Sequence, residues 1–455
     1  MKIVVTNYTG DRGNWGCQAT SRNLLAFLRQ VFPPEDGAEI STIPLPARHA
    51  VDSLFEIVHG DRIESIYSAV KPSRKDLDFL DFLTRERFGS AYDLARQADV
   101  IVFQGEGSVG PSSYLRTPIL YGLPFLAARL WNKPVLSLNQ TIYASAREEM
   151  PVVASIFNSF DMVAVREMIS YRFASGIGIP RTVLCPDMAL GDFANPPSAA
   201  VTPARREYFC VSGSAAIKVF NLKQFSEVIR AVYQRHRLMP VFMVSRRKDE
   251  AILAMAESEL GGVPFEIVTS ESHPQVESIL PILAAAKFVI GGRYHTAVSA
   301  LSLNTPVILL PGNTFKSEGV GPMLGLDLPV FDLSEGDAML ARIDEIAGNE
   351  RQHRDAISEA VAESRLSYGA LADYMREIVA WRMGAQEVAP PKPGSRLTPP
   401  LAAVGESARH DAIYRQGNFH VSQSRSKLLK AVKLWKLRRS KVYGRSVERT
   451  LTELP

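Results

Sequence analysis

Short apolar segments alternate with helical patterns along most of this chain, and glycine-containing turns follow several of the apolar segments. The first unit has an apolar segment at residues 3–6, a Gly- and Asn-rich turn at residues 7–16, and an amphipathic segment from residue 19 to residue 28. Strand, glycine turn and helix form the repeating unit of a doubly wound parallel sheet. The pattern therefore predicts an α/β fold.

The alternation is interrupted once, at the Pro-rich residues 195–198, and then resumes. A chain of 455 residues exceeds what one core usually accommodates. We therefore predict two Rossmann-like lobes with a cleft between them, at residues 1–194 and 200–383. The predicted strands lie at residues 3–6, 99–103, 134–138, 162–165, 208–211, 240–244, 265–269, 288–290 and 306–310. The predicted helices begin near residues 19 and 170 and cover residues 225–232, 276–286, 296–303 and 338–382.

The C-terminal region differs in composition from the two lobes. Residues 385–400 are rich in proline, which predicts a semi-extended linker, assigned to residues 384–405, rather than a folded element. Residues 425–449 carry ten Lys or Arg and one acid, so the net charge of this stretch is 10 − 1 = +9, and the remaining chain carries 4 − 9 = −5. The tail at residues 406–455 is basic, and residues 425–443 can form an imperfect amphipathic helix containing Trp435.

Several functional classes are disfavoured by composition. No apolar run approaches the roughly 20 residues of a membrane span, and the N-terminus lacks a signal peptide, so we expect a cytoplasmic protein. The three cysteines are far apart, and no HxH or HExxH motif occurs, so we expect no metal and no cofactor. A tail of this composition favours an anionic membrane surface over nucleic acid, with a solvated tail as the alternative.

Ligands of doubly wound sheets bind beyond the carboxyl ends of the strands, so the residues that follow each predicted strand are candidates for the site. In the first lobe these are Gly13 and Asn14 in the turn, Glu106 and Gly107 after the strand at 99–103, and Arg166 after the strand at 162–165. Glycines let a backbone approach an anion, and an arginine binds a phosphate or carboxylate with two parallel hydrogen bonds. Asp187 is a weaker candidate, because it also fits a simple turn.

The sharpest pattern lies in the second lobe, where Arg293 and His295 follow a double glycine at the start of a predicted helix. Histidine exchanges protons near neutral pH, whereas arginine stays charged and serves to bind an anion. Lys316, after the next strand, is a candidate phosphate contact. These residues predict a reaction centre around Arg293 and His295.

The ordered motifs resemble the bacterial polysaccharide pyruvyl transferases over residues 1–330. The resemblance rests on the segments at residues 13–19, 104–108, 165–167, 187–190 and 292–295, and on Lys316. Two segments differ from the family pattern: residues 187–190 read Asp-Met-Ala-Leu where the family often has Asp-Pro-Ala-Phe, and Glu106 replaces a plain double glycine. Both differences affect the expected identity of the acceptor sugar more than the expected type of reaction.

The resemblance implies a glycosyltransferase-B-type fold and transfer of the pyruvyl group of phosphoenolpyruvate to a sugar of a glycan or lipid-linked glycan. It implies that Arg166 and Arg293 bind the donor and that His295 is the acid/base group, with Gly13, Asn14, Glu106, Gly107, Asp187 and Lys316 contacting substrates. Two alternatives stay open. One is a nucleotide-sugar-dependent glycosyltransferase, and the other is a non-catalytic sugar-phosphate-binding protein, which would not need His295.

Overall fold

A computed structural model of the chain describes residues 1–47, 49–105, 112–144, 147–194, 206–214, 221–245, 249–312, 314–384 and 389–400. It contains two parallel sheets, each flanked by helices, which confirms the predicted α/β fold with two lobes. The predicted break at residues 195–198, the glycine loop with Glu106 and Gly107, and the basic tail lie outside the described residues.

The first lobe holds a six-stranded sheet in the order β2-β1-β3-β4-β5-β6. Its strands are β1 (Lys2–Tyr8), β2 (Glu39–Pro44), β3 (Val100–Gln104), β4 (Val135–Gln140), β5 (Met162–Val165) and β6 (Thr182–Leu184). Its helices are α1 (Trp15–Val31), α2 (Ala50–Ser68), α3 (Arg74–Phe88), α4 (Ser90–Gln97), α5 (Pro118–Arg129), α6 (Met150–Asn158) and α7 (Met168–Gly176). Every residue of β3 and β4 is buried, as expected for strands that are covered by helices on both faces.

The second lobe holds a five-stranded sheet in the order β11-β10-β7-β8-β9. Its strands are β7 (Tyr208–Ser214), β8 (Met239–Val244), β9 (Glu266–Thr269), β10 (Val289–Gly292) and β11 (Val307–Leu309). The following helices are α8 (Leu222–His236), α9 (Glu250–Glu259), α10 (Leu280–Ala285), α11 (Tyr294–Ser302), α12 (Val320–Leu324), α13 (Gly336–Gly348) and α14 (Glu350–Met383). All strand pairs in both sheets are parallel, so each sheet gathers its loops at one carboxyl edge.

The long helix α14 joins the two lobes. Its first half packs Ile357 and Val361 into a core of the second lobe. Its second half packs Tyr368, Leu371 and Met375 against the first sheet, in the cluster that contains Ile3 and Val5. Helix α14 therefore returns the chain to the lobe where it began, and it contributes to one hydrophobic cluster of each lobe.

Three sequence predictions are corrected here. The helix predicted at residues 276–286 is a 3₁₀ turn, Val276–Ser278, followed by α10. The helical stretch at 338–382 is two helices, α13 and α14, separated at Asn349. The prediction that the Pro-rich segment forms no folded element is wrong at its end, because residues Ser395–Leu397 form a 3₁₀ turn and Leu397 is fully buried in the core of the first lobe.

The lobes meet along a seam formed by the first turns of α1 and the segment before the Val276–Ser278 turn. The indole Nε1 of Trp15 donates to the His273 carbonyl oxygen at 2.6 Å. The carboxamide of Gln18 donates to the Pro274 carbonyl oxygen at 2.9 Å and accepts from the Val276 backbone N–H at 2.8 Å. Because these partners are about 260 positions apart in sequence, only the folded chain brings them together. In the described part of the chain, no helix is long and apolar enough to cross a membrane.

Candidate active site at the facing strand ends

Three predicted site residues come together where the carboxyl edges of the two sheets face each other. Arg166 follows β5, Asp187 follows β6, and His295 lies in the first turn of α11. The Arg166 Nη1 lies 2.7 Å from Asp187 Oδ2 and 3.2 Å from His295 Nε2. The same Asp187 oxygen lies 3.4 Å from His295 Nε2. Two residues of the first lobe and one of the second thus form a triangle, which we call the Arg–Asp–His cluster.

Asp187 is the residue that the other members of the cluster contact. Its side chain is buried, and Oδ1 accepts hydrogen bonds from Thr20 Oγ1 at 3.0 Å and from the Ala189 backbone N–H at 2.8 Å. Burial alone would raise the pKa of Asp187, but the Arg166 guanidinium and His295 outweigh it and hold that pKa well below its usual range. Asp187 is therefore an ionised carboxylate in the interior.

Arg166 is only 1 % exposed, which is unusual for an arginine and demands several partners. Besides Asp187 and His295, its Nε donates to Thr141 Oγ1 at 2.9 Å, and its guanidinium carbon lies 4.7 Å from the centre of the Tyr294 ring. In this arrangement Arg166 does not present its guanidinium to the space between the lobes, contrary to the position expected of a donor clamp. Helix α11 of the second lobe covers it.

His295 packs on the first turn of α1. A Cβ added at Gly16 would lie 2.6 Å from the His295 Cβ and 2.8 Å from Nδ1, closer than real contacts allow. Gly16 is therefore required for the imidazole to occupy its place. The side chain of His295 is 13 % exposed, and its Nδ1 makes no hydrogen bond within the described part of the chain.

Arg293, the residue before α11, is held by a second buried carboxylate. Asp249 is fully buried, and its Oδ1 accepts from Arg293 Nε at 3.0 Å and from Nη2 at 2.6 Å. The Arg293 side chain keeps 14 % exposure. One edge of the guanidinium is thus fixed by Asp249, and Arg293 precedes His295 of the Arg–Asp–His cluster by two residues in sequence.

The remaining predicted residues have different surroundings. The Lys316 Nζ lies 5.7 Å from the centre of the Tyr294 ring, so Lys316 is near the cluster. Asn14 caps α1, with its Oδ1 accepting from the Cys17 backbone N–H at 3.1 Å. Gly13 is exposed, and a Cβ added there would meet nothing within 4 Å. Glu106 and Gly107 lie outside the described residues.

Sequence reasoning missed four residues of this site: Thr141, Asp249, Tyr294 and Gly16 as a contact of His295. Tyr294 stands between Arg293 and His295, and its ring is nearly fully buried, with a pKa that burial raises far above its usual value. Its position between Arg293 and His295 is a signal from which the sequence could have identified Tyr294 as a site residue. Asp249 and Thr141 carry no such signal, because their contacts with Arg293 and Arg166 span 44 and 25 positions. Among the residues that the structure describes, no group of three His, Cys, Asp or Glu side chains could hold a metal ion.

Two Rossmann-like lobes with charged residues at their facing strand ends define the glycosyltransferase-B-type architecture, and solved structures share it. The MnaA–UDP complex of S. aureus aligns with a TM-score of 0.56 at 14 % identity, over 86 % of this chain and all of that one. An assigned UDP-N-acetylglucosamine 2-epimerase of Listeria monocytogenes aligns at 0.53, with 13 % identity, over 87 % of this chain and 99 % of that one. The N-terminal domain of the Candida albicans trehalose-6-phosphate phosphatase aligns at 0.50, with 11 % identity, over 82 % and 96 %. At these identities the likeness concerns the fold alone.

The family is shown by sequence. The model of the polysaccharide pyruvyl transferase family matches residues 14–313, which is more than half of the chain and includes the Arg–Asp–His cluster and Arg293. The chain belongs to this family of transferases. A search of curated proteins found no match.

Proposed function

We propose that this protein transfers the pyruvyl group of phosphoenolpyruvate to two hydroxyls of a glycan sugar, forming a cyclic ketal. The observation that carries the proposal is the placement of Arg293 and His295 side by side at the N-terminus of α11, within the region that matches the family. Phosphoenolpyruvate carries a phosphate and a carboxylate, and it therefore requires fixed cations. Arg293, which is anchored by Asp249 two residues before His295, and Lys316, which lies near the Tyr294 ring, supply two of them.

The reaction requires one proton donor and one proton acceptor. A proton adds to the methylene carbon of phosphoenolpyruvate, which becomes a methyl group, while the oxygen of a sugar hydroxyl bonds to the central carbon and gives up its proton. The bond from the central carbon to the phosphate oxygen then breaks with its electron pair. A second hydroxyl oxygen bonds to the same carbon, and its proton leaves with phosphate. His295 is the residue we assign to the first pair of proton transfers.

We further propose that the acceptor is a glycan or lipid-linked glycan used for cell-surface polysaccharide, and that the enzyme works in the cytoplasm. Gly13, Asn14, Glu106, Gly107 and Asp187 were assigned from sequence as substrate contacts. For Asp187, the buried position favours a role through Arg166 and His295 instead.

The proposal is tested by incubating the purified protein with phosphoenolpyruvate and candidate glycans, and by measuring phosphate release together with the mass of the glycan. We expect a pyruvate ketal on the glycan and one phosphate released per ketal. A parallel incubation with UDP-sugars tests the glycosyltransferase alternative, for which sugar transfer without ketal formation is the expected result.

The same assay with His295→Ala separates an enzyme from a binding protein. We expect phosphoenolpyruvate to remain bound while turnover falls by about 10²–10⁴-fold, the usual contribution of a general acid/base group. Unchanged turnover in His295→Ala would contradict the assignment. Binding of phosphoenolpyruvate without any turnover in the wild-type protein, across acceptors, would favour the non-catalytic alternative.

A further inference from the structure

The two nitrogens of the His295 ring have different surroundings. Nε2 points into the Arg–Asp–His cluster, where Arg166 Nη1 lies at 3.2 Å and Asp187 Oδ2 at 3.4 Å. Nδ1 lies on the opposite side of the ring, beside the Cα of Gly16, and has no hydrogen-bond partner in the described part of the chain. Whatever His295 does chemically, its two nitrogens cannot be equivalent.

The identity of the neighbours decides what Nε2 can do. A guanidinium has only donors, so the contact with Arg166 is a hydrogen bond only when Nε2 carries a lone pair. A neutral ring in that state has its proton on Nδ1. When Nε2 carries a proton, in the charged ring or in the other neutral tautomer, the acceptor within reach is Asp187 Oδ2. Because Asp187 is an ionised carboxylate, it favours the ring with its proton on Nε2, and in the neutral ring this leaves the lone pair on Nδ1.

We propose that Arg166 and Asp187 are positioning residues that occupy Nε2 of His295, and that Nδ1 is the nitrogen that exchanges protons with the substrates. This inference rests on the proposed function, because it assigns atoms within the same proton transfers. Both positioning residues are almost completely buried, so neither contacts a substrate in this arrangement.

The proton balance follows from this geometry. The charged ring gives its Nδ1 proton to the methylene carbon of phosphoenolpyruvate and becomes a neutral ring whose Nε2–H donates to Asp187 Oδ2. Nδ1 then has a lone pair and takes the proton of the attacking sugar hydroxyl, which restores the charged ring. The carboxylate stabilises the charged ring and holds its orientation, as the aspartate does in serine-hydrolase triads.

A spectroscopic test needs no substrate, so it stands even if the enzyme has a different activity. The protein is labelled with ¹⁵N-histidine, and the ring signals of His295 are assigned by their loss in His295→Gln. In the neutral wild-type ring we expect the proton on Nε2, where it donates to Asp187 Oδ2, because Nδ1 must carry the lone pair that takes the hydroxyl proton. In Asp187→Asn, where Arg166 remains as a donor to Nε2, we expect the proton on Nδ1. A neutral wild-type ring with its proton on Nδ1 would overturn the proposal, and this measurement does not depend on whether the variant folds.

A kinetic test distinguishes a positioning role from a substrate contact and from a purely structural role. In Asp187→Asn we expect kcat to fall by about 10²-fold or more, while KM for phosphoenolpyruvate changes by less than about threefold. Asp161→Asn is the matched control. Asp161 also holds a buried backbone N–H and an arginine, Arg382, but at the amino edge of the same sheet, and we expect this variant to lose stability and retain kcat.

Two kinetic results would overturn the proposal. A large rise in KM with little change in kcat would mean that Asp187 binds substrate. A loss of activity in Asp187→Asn that only follows the fraction of unfolded protein, as expected for the control, would mean that Asp187 is structural. If the wild-type protein shows no pyruvyl transfer at all, the proposed function fails. The NMR measurement of the ring tautomer would still show whether Asp187 and Arg166 occupy Nε2 as proposed.

Discussion

The side chain of His295 occupies the space where a Cβ at Gly16 would lie, so the first helix of one lobe determines where the candidate acid/base residue of the other lobe can sit. A Cβ at position 16 would come within 2.6 Å of the His295 Cβ and 2.9 Å of Cγ. Contacts below 3.0 Å are not tolerated, so one of the two residues would have to move. The glycine is therefore a requirement of the site rather than of the turn.

Replacing Gly16 by alanine should displace His295 and lower turnover by about 10²-fold, the usual cost of misplacing a reacting group by about 1 Å. Gly369→Ala is the control, because a Cβ at that helical position meets nothing within 4 Å. Steady-state kinetics of the two variants measure the difference. Near-wild-type turnover in Gly16→Ala would show that His295 does not need this position.

Gly13→Ala tests whether a substrate approaches Gly13. A Cβ added there meets no atom of the protein within 4 Å, so a loss of activity in this variant would indicate a clash with the substrate.

Arg293 should be the main determinant of donor affinity. Its guanidinium is held by Asp249 along Nε and Nη2, and a lysine cannot reproduce this fork or contact the donor with two parallel bonds. Losing a charge-assisted contact to an anion costs about 1.5–3 kcal/mol. We expect Arg293→Lys and Arg293→Ala to weaken phosphoenolpyruvate binding measured by calorimetric titration. Equal affinity of Arg293→Ala and wild type would remove Arg293 from the donor site.

Glu167 should make stability depend on pH. Its carboxyl caps α7 by accepting from the Ile169 and Ser170 backbone N–H groups, and burial raises its pKa from 4.5 to about 7 despite these hydrogen bonds and the neighbouring Arg166. Between pH 4.5 and 7 the folded state binds one more proton than the unfolded state, so this carboxyl lowers the free energy of unfolding as pH rises. The change is about 1.4 kcal/mol per pH unit and reaches roughly 3 kcal/mol by pH 7.

The test of this prediction is Glu167→Gln, which keeps an acceptor for the helix cap and carries no titrating proton. The stability of the variant relative to wild type should rise between pH 5 and pH 7 and then level off. Thermal unfolding at several pH values measures it. Glu257→Gln, at an exposed position of α9, is the control and should leave the pH dependence unchanged. A constant difference between Glu167→Gln and wild type would mean that the carboxyl stays ionised when buried.

The basic tail should bring the protein to anionic membrane surfaces. Residues 425–449 carry the net charge of +9, and each Lys or Arg near an anionic surface contributes about 1 kcal/mol at low salt. Because Leu397 is part of the first lobe's core, the truncated chain for comparison should end at Pro400 rather than before the Pro-rich segment. Full-length protein should co-sediment with anionic vesicles at low salt, and the truncated chain should not. Equal behaviour of the two would exclude an anchoring role, and activity on a soluble acceptor should be the same in both.

The local pattern of the sequence was sufficient for the fold and for part of the site. Alternating apolar and helical segments predicted nine of the eleven strands that the structure describes, missing only the two edge strands β2 and β6 of the first sheet, and the strand at 162–165 has the bounds predicted for it. Arg293 and His295 could be singled out because a strand, two glycines and a helix start lie within a few residues of them. A parallel sheet gathers such residues at one edge, so short-range pattern and position along a strand already carry the information.

The tertiary structure decided which partner each charged residue has. The sequence placed Arg166 at a strand end, where a ligand was the natural partner, but Asp187 and His295 occupy its guanidinium and α11 covers it. Asp249 and Gly16 acquired their roles in the same way, through contacts with residues far along the chain. Periodicity reports which face of an element is buried, because that depends on neighbours within a few residues. Which buried charges meet depends on contacts between residues far apart in sequence. These contacts lie within one lobe for Arg166 with Asp187 and for Asp249 with Arg293, and between the lobes for His295, so no short-range pattern determines them.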